Sequence, residues 1–280
     1  MELNHIAGRD GRLSLLLRED MKMSAGLMNR LKWVDKILVN GKPEHTDFAV
    51  KQGDVITVFL DEEEPDYPPE DGELTILYED EHLLAVEKPA GMLIHPSRSR
   101  FDGTLANYVL GYYRRTNQKS AFHPVTRLDR DTFGVVLLTK NSHIHALMQD
   151  TPIRKTYHAL VLGHWEPEEG IIDAPIARKP LPSLLREVRS DGKMSVTEFR
   201  VLERFENYTK LELNPITGRT HQLRVHCAHV GHPILGDPQY GDERSCFGLA
   251  SQILCAKSLE FDHPITGVHL RMESNMDAVI

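Results

Sequence analysis

The sequence predicts an α+β protein with two unequal parts: a small N-terminal α+β module and a larger domain built on a mixed, mainly antiparallel sheet. Three observations support this prediction. After residue 73, strand patterns outnumber helical ones and do not follow a regular βαβ repeat. A run of acidic residues and prolines separates the two parts at 61–72. The chain has 280 residues, 40 % of them hydrophobic, which is enough for a sizeable core.

The first part, residues 1–60, combines a helix, a hairpin and a strand. Ser24 can cap a helix whose apolar residues recur at helical spacing, namely Leu27, Met28, Leu31 and Val34. A short strand at 36–40 ends in Asn40-Gly41, which predicts a tight turn because both residue types tolerate positive φ. An alternating strand follows at 55–60. A module of this size is marginally stable alone.

The segment 61–72, DEEEPDYPPEDG, has seven acidic residues, no basic residue and three prolines. Proline cannot donate to a ladder or continue a helix, so we expect an interdomain linker. The formal net charge of the chain is −8, and nearly all of it lies in this segment. The folded parts are therefore close to neutral, and the acidic total does not exclude a polyanionic partner such as RNA.

The larger part, residues 73–280, reads as many strands with a few helices between them. Strands are predicted at 74–78, 83–87, 135–139, 156–162, 195–202, 208–213 and 253–261. One helix begins after a Thr104 cap, a second runs from a Ser142 cap to Met148, and a third covers Thr220 to Val230. Gly231 and Pro233 end the third helix.

Composition also limits the location and the chemistry. The longest purely aliphatic run is Val135–Leu138, far short of the ~20 residues of a membrane helix, and the start MELNHIAGRD lacks an apolar signal segment. We therefore expect a cytoplasmic protein. The three cysteines, Cys227, Cys246 and Cys255, form no CxxC pair, so neither a disulfide framework nor a cysteine metal site is predicted.

Two segments concentrate charge next to predicted core elements. In Thr126-Arg-Leu-Asp-Arg-Asp-Thr-Phe-Gly134, two arginines and two aspartates precede a buried strand, and such charges must be paired or solvated. A loop held by salt bridges is the simpler interpretation. On the third helix, Arg224 lies at the margin of an apolar stripe. It either extends to water or holds a buried carboxylate through a bidentate pair, and both possibilities stay open.

Tyr157 alternates with Ala159 and Val161 on one face of its predicted strand. A core tyrosine with a paired hydroxyl is the commoner case at such a position. The histidines at 221, 226, 229 and 232 could suggest zinc, but only the middle pair shares a helical face and no thiolate pair accompanies them. We therefore expect no metal.

Five segments in order resemble the RluA-type pseudouridine synthases, which isomerise uridine within ribosomal and transfer RNA. They are EKPAGMLIHP, TRLDRDTFG, RKTYHALVLG, ITGRTHQLRVHCAHVGHPILGDPQYG and AKSLEFDHPITG, spanning about residues 74–268. The segment ILVNGKPEHTDFAVKQGDVITV, in the first part, resembles the ribosomal S-four-type RNA-binding domain. The basic residues of its first helix are fewer than that pattern usually has. A plain helix-and-hairpin packing unit is the alternative.

The RluA-type resemblance implies roles for single residues. Asp129 matches the catalytic aspartate, Arg224 its basic partner, Tyr157 the active-site tyrosine and Arg127 the arginine that contacts RNA or fills the space of a flipped uridine. An arginine beside the aspartate would keep the carboxylate ionised. Because the same atoms leave and return, the isomerisation needs one carboxylate and no cofactor. The signature departs from the family at Thr126 and Phe133, where histidine and a small residue are usual.

We therefore predict an RNA uridine isomerase with RNA as its partner, and we favour a monomer. The alternative is a non-catalytic RNA-binding or ribosome-assembly factor on the same fold. The presence of Asp129, Tyr157 and Arg224 argues against that alternative. A metal-dependent hydrolase that uses the histidines is a second alternative, and it would contain zinc.

Overall fold

The computed structural model describes residues 2–60, 67–97 and 100–279. Its helices are α1 Leu13–Glu19, α2 Ala25–Leu31, α3 Leu105–Arg115, α4 Ser142–Asp150 and α5 Gln222–His229. Its strands are β1 Glu2–Ile6, β2 Gly11–Arg12, β3 Ile37–Val39, β4 Lys42–Pro43, β5 Ala49–Val50, β6 Val55–Phe59, β7 Thr75–Glu79, β8 Leu83–Lys88, β9 His123–Pro124, β10 Phe133–Thr139, β11 Arg154–Leu162, β12 Glu169–Asp173, β13 Ile176–Arg178, β14 Arg186–Val188, β15 Val196–Arg204, β16 Tyr208–Pro215, β17 Leu254–Asp262 and β18 His269–Glu273.

The N-terminal residues form their own small core. An antiparallel sheet of order β1-β6-β3-β4 packs with α1 and α2 around buried aliphatic side chains, among them Leu16, Leu31, Ile56 and Val58. The Ser24 hydroxyl accepts from the Leu27 amide, as expected of a cap. Asn40 and Gly41 have φ of 50° and 77°, so the predicted tight turn joins β3 and β4. Val34 lies beyond α2 and is 53 % exposed, so it is not part of the apolar face.

The larger part contains a ten-stranded sheet of order β12-β15-β16-β11-β17-β10-β8-β7, with β18 joined to β17 and β9 to β10. In the described part of the chain, β10 and β17 form its parallel pair and its other ladders are antiparallel. The prediction of a mixed, mainly antiparallel sheet is confirmed. Strands β13 and β14 form a separate hairpin beside the sheet.

Helices cover the sheet according to the alternation of side chains along its strands. Helix α3 packs on Val136 and Leu138 of β10, whereas α4 packs on Val135 and Leu137 of the same strand. Helix α5 inserts Leu223 and Cys227 into the core formed by β11 and β16. The start of α5 therefore lies beside the strand that carries Tyr157.

Part of the acidic segment packs instead of remaining free. Residues 61–66 lie outside the described residues, but 67–72 run along α3. The Asn107 side chain donates to the Pro68 carbonyl at 2.9 Å, and the Glu70 amide donates to the Asn107 carbonyl at 3.0 Å. Gly111 leaves room for this approach, since a Cβ there would lie 1.7 Å from the Glu70 carbonyl oxygen. The second half of the predicted linker is thus attached to the larger part of the protein.

Two predicted helix starts shift slightly. Asn141, one residue before the predicted Ser142, caps α4 by accepting from the Ile144 amide. Helix α5 starts at Gln222 instead of Thr220, because His221 has the left-handed φ of 57°. Within residues 2–60, 67–97 and 100–279, no helix is long and apolar enough to cross a lipid bilayer.

Candidate active site

A cleft of about 970 Å³ opens on the face of the sheet where α5 begins. Its walls include 93–95, 122–129 with Thr132, the start of β11, and 215–224. Asp129, Arg127, Tyr157 and Arg224, the four residues selected from the sequence, all line it. The fold therefore brings together positions that are up to 97 residues apart in the sequence, from Arg127 to Arg224.

Asp129 lies in the loop that leads into β10, and its side chain is 29 % exposed. The buried Thr126 anchors this loop, because its hydroxyl accepts from the Leu137 amide at 3.0 Å and its amide donates to the Leu137 carbonyl at 3.3 Å. Thr132 closes the turn by donating its amide to the Asp129 carbonyl at 3.2 Å. Threonine at position 126, where the family usually has histidine, thus fixes the loop to its strand.

Arg224 is buried, with 5 % of its side chain exposed, and it contacts two carboxylates. Its Nη1 donates to Asp129 Oδ2 at 2.9 Å. Its Nε and Nη2 form a bidentate pair with Asp237, at 2.7 and 2.8 Å. Burial alone lowers the pKa of Arg224, but its hydrogen bonds and attraction to Asp237 and Asp129 outweigh burial and raise it. Of the two possibilities left open, Arg224 therefore holds a buried carboxylate.

Asp237 is the residue that completes this arrangement, and sequence reasoning missed it. Its side chain is fully buried, and its Oδ1 also accepts from the Gln239 and Tyr240 amides, at 2.9 and 3.1 Å. Arg224 is thus oriented by Asp237 on one side and presents its remaining nitrogen to Asp129 on the other. The available signal was the Gly-Asp-Pro turn within GHPILGDPQYG. In such a turn the backbone amides of the residues after the proline, here Gln239 and Tyr240, can donate to the aspartate side chain.

Tyr157 projects from β11 onto the apolar core under α5. It pairs with Leu213 on one side and Ala256 on the other, next to a register shift between Thr156 and Tyr157. Burial, with a contribution from the nearby Asp129, raises the pKa of its hydroxyl, so the side chain is neutral at physiological pH. A neutral aromatic ring on a rigid strand offers a stacking surface for a base. Arg127, by contrast, is exposed at the rim of the cleft.

Lys88 is a second residue that sequence reasoning missed. It is fully buried, and its Nζ donates to the carbonyls of Pro89, Met92 and Arg130 at 2.8 to 2.9 Å. Burial lowers its pKa to about 8, while the carboxylates of Asp131 and Asp129 oppose that shift, so the ammonium remains charged at pH 7. Lys88 therefore ties the 89–92 loop to the loop that carries Asp129.

Three of the four histidines, His221, His226 and His232, have separate surroundings. His221 lines the cleft, whereas His226 contacts the Thr197 hydroxyl and the Ala174 carbonyl, both at 3.0 Å. His232 donates to the Leu162 carbonyl at 2.7 Å. Among the described residues, no three His, Cys, Asp or Glu side chains come together as a metal site.

Comparison with known proteins decides the family. The model of the RNA pseudouridylate synthase family matches residues 82–229, a range that includes all four selected residues. The chain belongs to the RNA pseudouridine synthase family. It is 38 % identical to the uncharacterized RNA pseudouridine synthase YlyB of Bacillus subtilis, over 87 % of this chain and 83 % of that protein. It is 39 % identical to the ribosomal large subunit pseudouridine synthase D of Pseudomonas aeruginosa, over 73 % of this chain and 69 % of that protein.

A solved structure agrees with this assignment. The human RNA pseudouridylate synthase domain containing 1 superposes with a TM-score of 0.60 at 27 % identity, covering 73 % of this chain and 84 % of that one. The family expected from the five motifs is thus confirmed, as is the α+β fold class. This pseudouridine synthase is an enzyme that acts on RNA and isomerises uridine to pseudouridine. The matched range begins after the N-terminal module, whose S-four-type identity stays a prediction.

Proposed function

We propose that this pseudouridine synthase uses Asp129 as its single catalytic carboxylate. The observation that carries the proposal is the contact of 2.9 Å between Arg224 and Asp129 Oδ2, made in a cleft of about 970 Å³ that Tyr157 also lines. In the described structure Oδ1 has no such donor within hydrogen-bond distance, since the facing nitrogen, His221 Nε2, is 3.8 Å away. Arg224 thus stabilises the carboxylate through one oxygen and leaves Oδ1 as the reacting oxygen.

The reaction breaks the bond between C1′ of the ribose and N1 of uracil, turns the base and forms a bond from C1′ to C5. The proton on C5 is lost, and N1 carries a proton in the product. Asp129 Oδ1 either attacks C1′ or removes the proton from C2′ to give a glycal, and it is regenerated at the end by either route. Tyr157 limits escape of the detached uracil by packing against its ring.

The target uridine must leave its stack before it can enter the cleft. Arg127, exposed at the rim, is positioned to bind a flanking phosphate or to occupy the vacated place in the RNA. The N-terminal module would anchor the RNA. Its Trp33 is 74 % exposed and stacks with the Lys32 ammonium 4.9 Å from the ring centre, a combination of aromatic and basic groups suited to unpaired bases.

The relatives suggest the class of RNA. Two of them, from Pseudomonas aeruginosa and Vibrio cholerae, are named ribosomal large subunit pseudouridine synthases D and C. We therefore propose that this enzyme modifies ribosomal RNA of the large subunit in the cytoplasm. Mapping pseudouridine in total RNA from a strain that lacks the gene, and again after its restoration, identifies the site. A missing modification in transfer RNA alone would contradict this substrate.

The catalytic assignment is tested with Asp129→Asn, which keeps the size of the side chain but removes the carboxylate. We expect no pseudouridine from this variant in RNA taken from the deletion strain, with binding of that RNA retained. The matched control is Asp131→Asn, in the same loop, whose carboxylate contacts Arg130 at 2.8 Å and does not line the cleft. We expect the control to stay active. Full turnover by Asp129→Asn would refute the assignment, and an inactive wild type that binds RNA would favour a non-catalytic factor.

A further inference from the structure

His221 occupies an unusual position that the proposed mechanism does not use. It precedes α5 with φ of 57°, a left-handed conformation uncommon for residues other than glycine. Its side chain is 18 % exposed and lines the cleft. Its Nδ1 lies 2.8 Å from the Tyr240 hydroxyl, and its Nε2 faces Asp129 Oδ1 at 3.8 Å. A strained backbone at a cleft indicates a functional constraint on the side chain.

The hydrogen bonds of Tyr240 favour one of the two neutral tautomers of His221. The Arg186 amide donates to the Tyr240 oxygen at 2.9 Å, so that oxygen is an acceptor in this contact. The hydroxyl proton of Tyr240 then has Nδ1 of His221 as its acceptor. In a neutral imidazole one nitrogen accepts and the other donates, so we assign the proton of His221 to Nε2. The Nε2–H group is therefore directed into the cleft beside Asp129.

The surroundings keep this imidazole neutral. Burial lowers the pKa of His221, and the cations Arg224 and Arg186 add to that shift. The carboxylates of Asp129 and Asp237 oppose it. A neutral Nε2–H donates a hydrogen bond without giving up its proton, which is what a developing negative charge needs when no net proton transfer takes place.

The departing uracil carries such a developing negative charge. When the bond from C1′ to N1 breaks, by either route, the electron pair stays on the base and resonance spreads it to the oxygens O2 and O4. O2 is next to the breaking bond and therefore close to the oxygen of Asp129 that reacts. We infer that His221 is a further catalytic residue, which donates a hydrogen bond from Nε2 to O2 of the leaving uracil. This inference rests on the proposed function of Asp129.

The variants His221→Asn and His221→Gln separate this role from a structural one. Asparagine accepts the left-handed backbone well but is too short to reach the Nε2 position. Glutamine is long enough to place an N–H near the Nε2 position, although it adopts the left-handed backbone conformation less readily than asparagine. We expect His221→Asn to lower the single-turnover rate by about 100-fold, the typical effect of removing one donor to a developing anion. Glutamine should restore part of the loss, and RNA affinity should change little in both.

The decisive measurement replaces the target uridine with 5-fluorouridine in the same RNA. Fluorine withdraws electrons, so the departing base carries its charge more easily and needs the hydrogen bond less. The rate deficit of His221→Asn, read as loss of the substrate nucleoside, should therefore shrink at least several-fold on the fluorinated RNA. Tyr240→Phe, which removes the donor to Nδ1, should show a smaller deficit that shrinks in the same way.

Equal deficits on both RNAs would overturn the inference, because a displaced Asp129 slows both substrates alike. An unchanged rate of His221→Asn on uridine would overturn it too. Failure of the proposed function looks different: Asp129→Asn would then turn over fully, whatever the His221 variants do. Circular dichroism and thermal unfolding of each variant verify that the fold is intact, and Tyr240→Phe, whose backbone is not strained, supplies the test if both His221 variants unfold.

Discussion

Replacing Asp237 by asparagine tests whether the orientation of Arg224 depends on a buried carboxylate. In the wild type, Asp237 Oδ2 accepts from Arg224 Nε at 2.7 Å and Oδ1 from Nη2 at 2.8 Å. Asparagine keeps one acceptor oxygen, but its amide N–H₂ group is a donor and would face a donor N–H of the Arg224 guanidinium. It also removes the negative charge. Breaking a buried ion pair by removing one partner costs about 3 to 5 kcal/mol. Because Asp129 still contacts Arg224, we expect the lower figure, about 3 kcal/mol.

Urea unfolding measures this cost. With a slope of about 3 kcal/mol per molar, the midpoint should fall by about 1 M. Fluorescence of Trp165 follows the transition, because this residue is 3 % exposed in the core under α5. The control is Glu260→Gln, whose partner Arg271 is 57 % exposed, and such a surface pair contributes at most about 1 kcal/mol.

The same variant should also lose activity. Without Asp237, the guanidinium is free to pair fully with Asp129 and no longer presents one nitrogen to Oδ2 alone. Displacement of a reacting group by about 1 Å costs on the order of 100-fold in rate. An unchanged urea midpoint together with wild-type activity would refute the argument that Asp237 positions Arg224. Lost stability with full activity would show that its role is structural only.

Further predictions concern Lys88 and Gly134, which lie next to the loop that carries Asp129. Lys88→Met removes the ammonium group that donates hydrogen bonds to three backbone carbonyls. We expect this loss to lower the unfolding free energy by about 2 kcal/mol at pH 7, measured by urea unfolding. The pKa of Lys88 is about 8 in the folded protein and near 10.4 when unfolded, so the unfolded chain binds more protons between these values. The wild-type contribution of Lys88 to the unfolding free energy should rise by about 3 kcal/mol across that pH window, a change that Lys88→Met should lack. Gly134→Ala should destabilise by more than about 1 kcal/mol, because a Cβ there would lie 2.3 Å from the Ala256 carbonyl oxygen at φ of 110°. Gly8→Ala, with nothing within 4 Å of the new Cβ, should be nearly neutral in the same assay.

Local signals explain which elements could be predicted from the sequence. Ser24 and Thr104 both accept amides as caps, and the aliphatic run at 135–138 is the buried centre of β10. Helix α1 was missed because the residue at its N-cap position, Arg12, provides no side-chain cap. Strand β1 was missed because it alternates polar residues with partly buried ones and ends in the exposed Ile6. Both elements depend on packing within the N-terminal core and lack a local signal.

The residues of the candidate site also divide into those that the sequence indicated and those that it did not. Motif resemblance indicated Asp129 and Arg224, which lie 95 positions apart and are 2.9 Å from each other in the fold, while their roles stay a prediction. Spacing alone could not have found Asp237, His221 or Lys88 as partners of that pair. Each of them contacts the pair or the loop of Asp129 only in the folded chain, so its significance appears only when the loops are adjacent. Removal of Arg224 would leave an unpaired buried charge on Asp237, since Asp237 and not Asp129 is the fully buried carboxylate.

One strand, β17, sets the distance between the strand that follows Asp129 and the strand that carries Tyr157. Gly134 of β10 and Tyr157 of β11 both pair with Ala256 of β17, which lies between them. Two strand spacings, about 10 Å in total, therefore separate the strand that follows Asp129 from the strand that carries Tyr157. We propose that the base and its sugar lie over β17, between the carboxylate and the ring. A side chain at position 134 would push β10 away from β17, so the Gly134→Ala variant should lose catalytic rate by widening the gap, even in the fraction of molecules that remains folded.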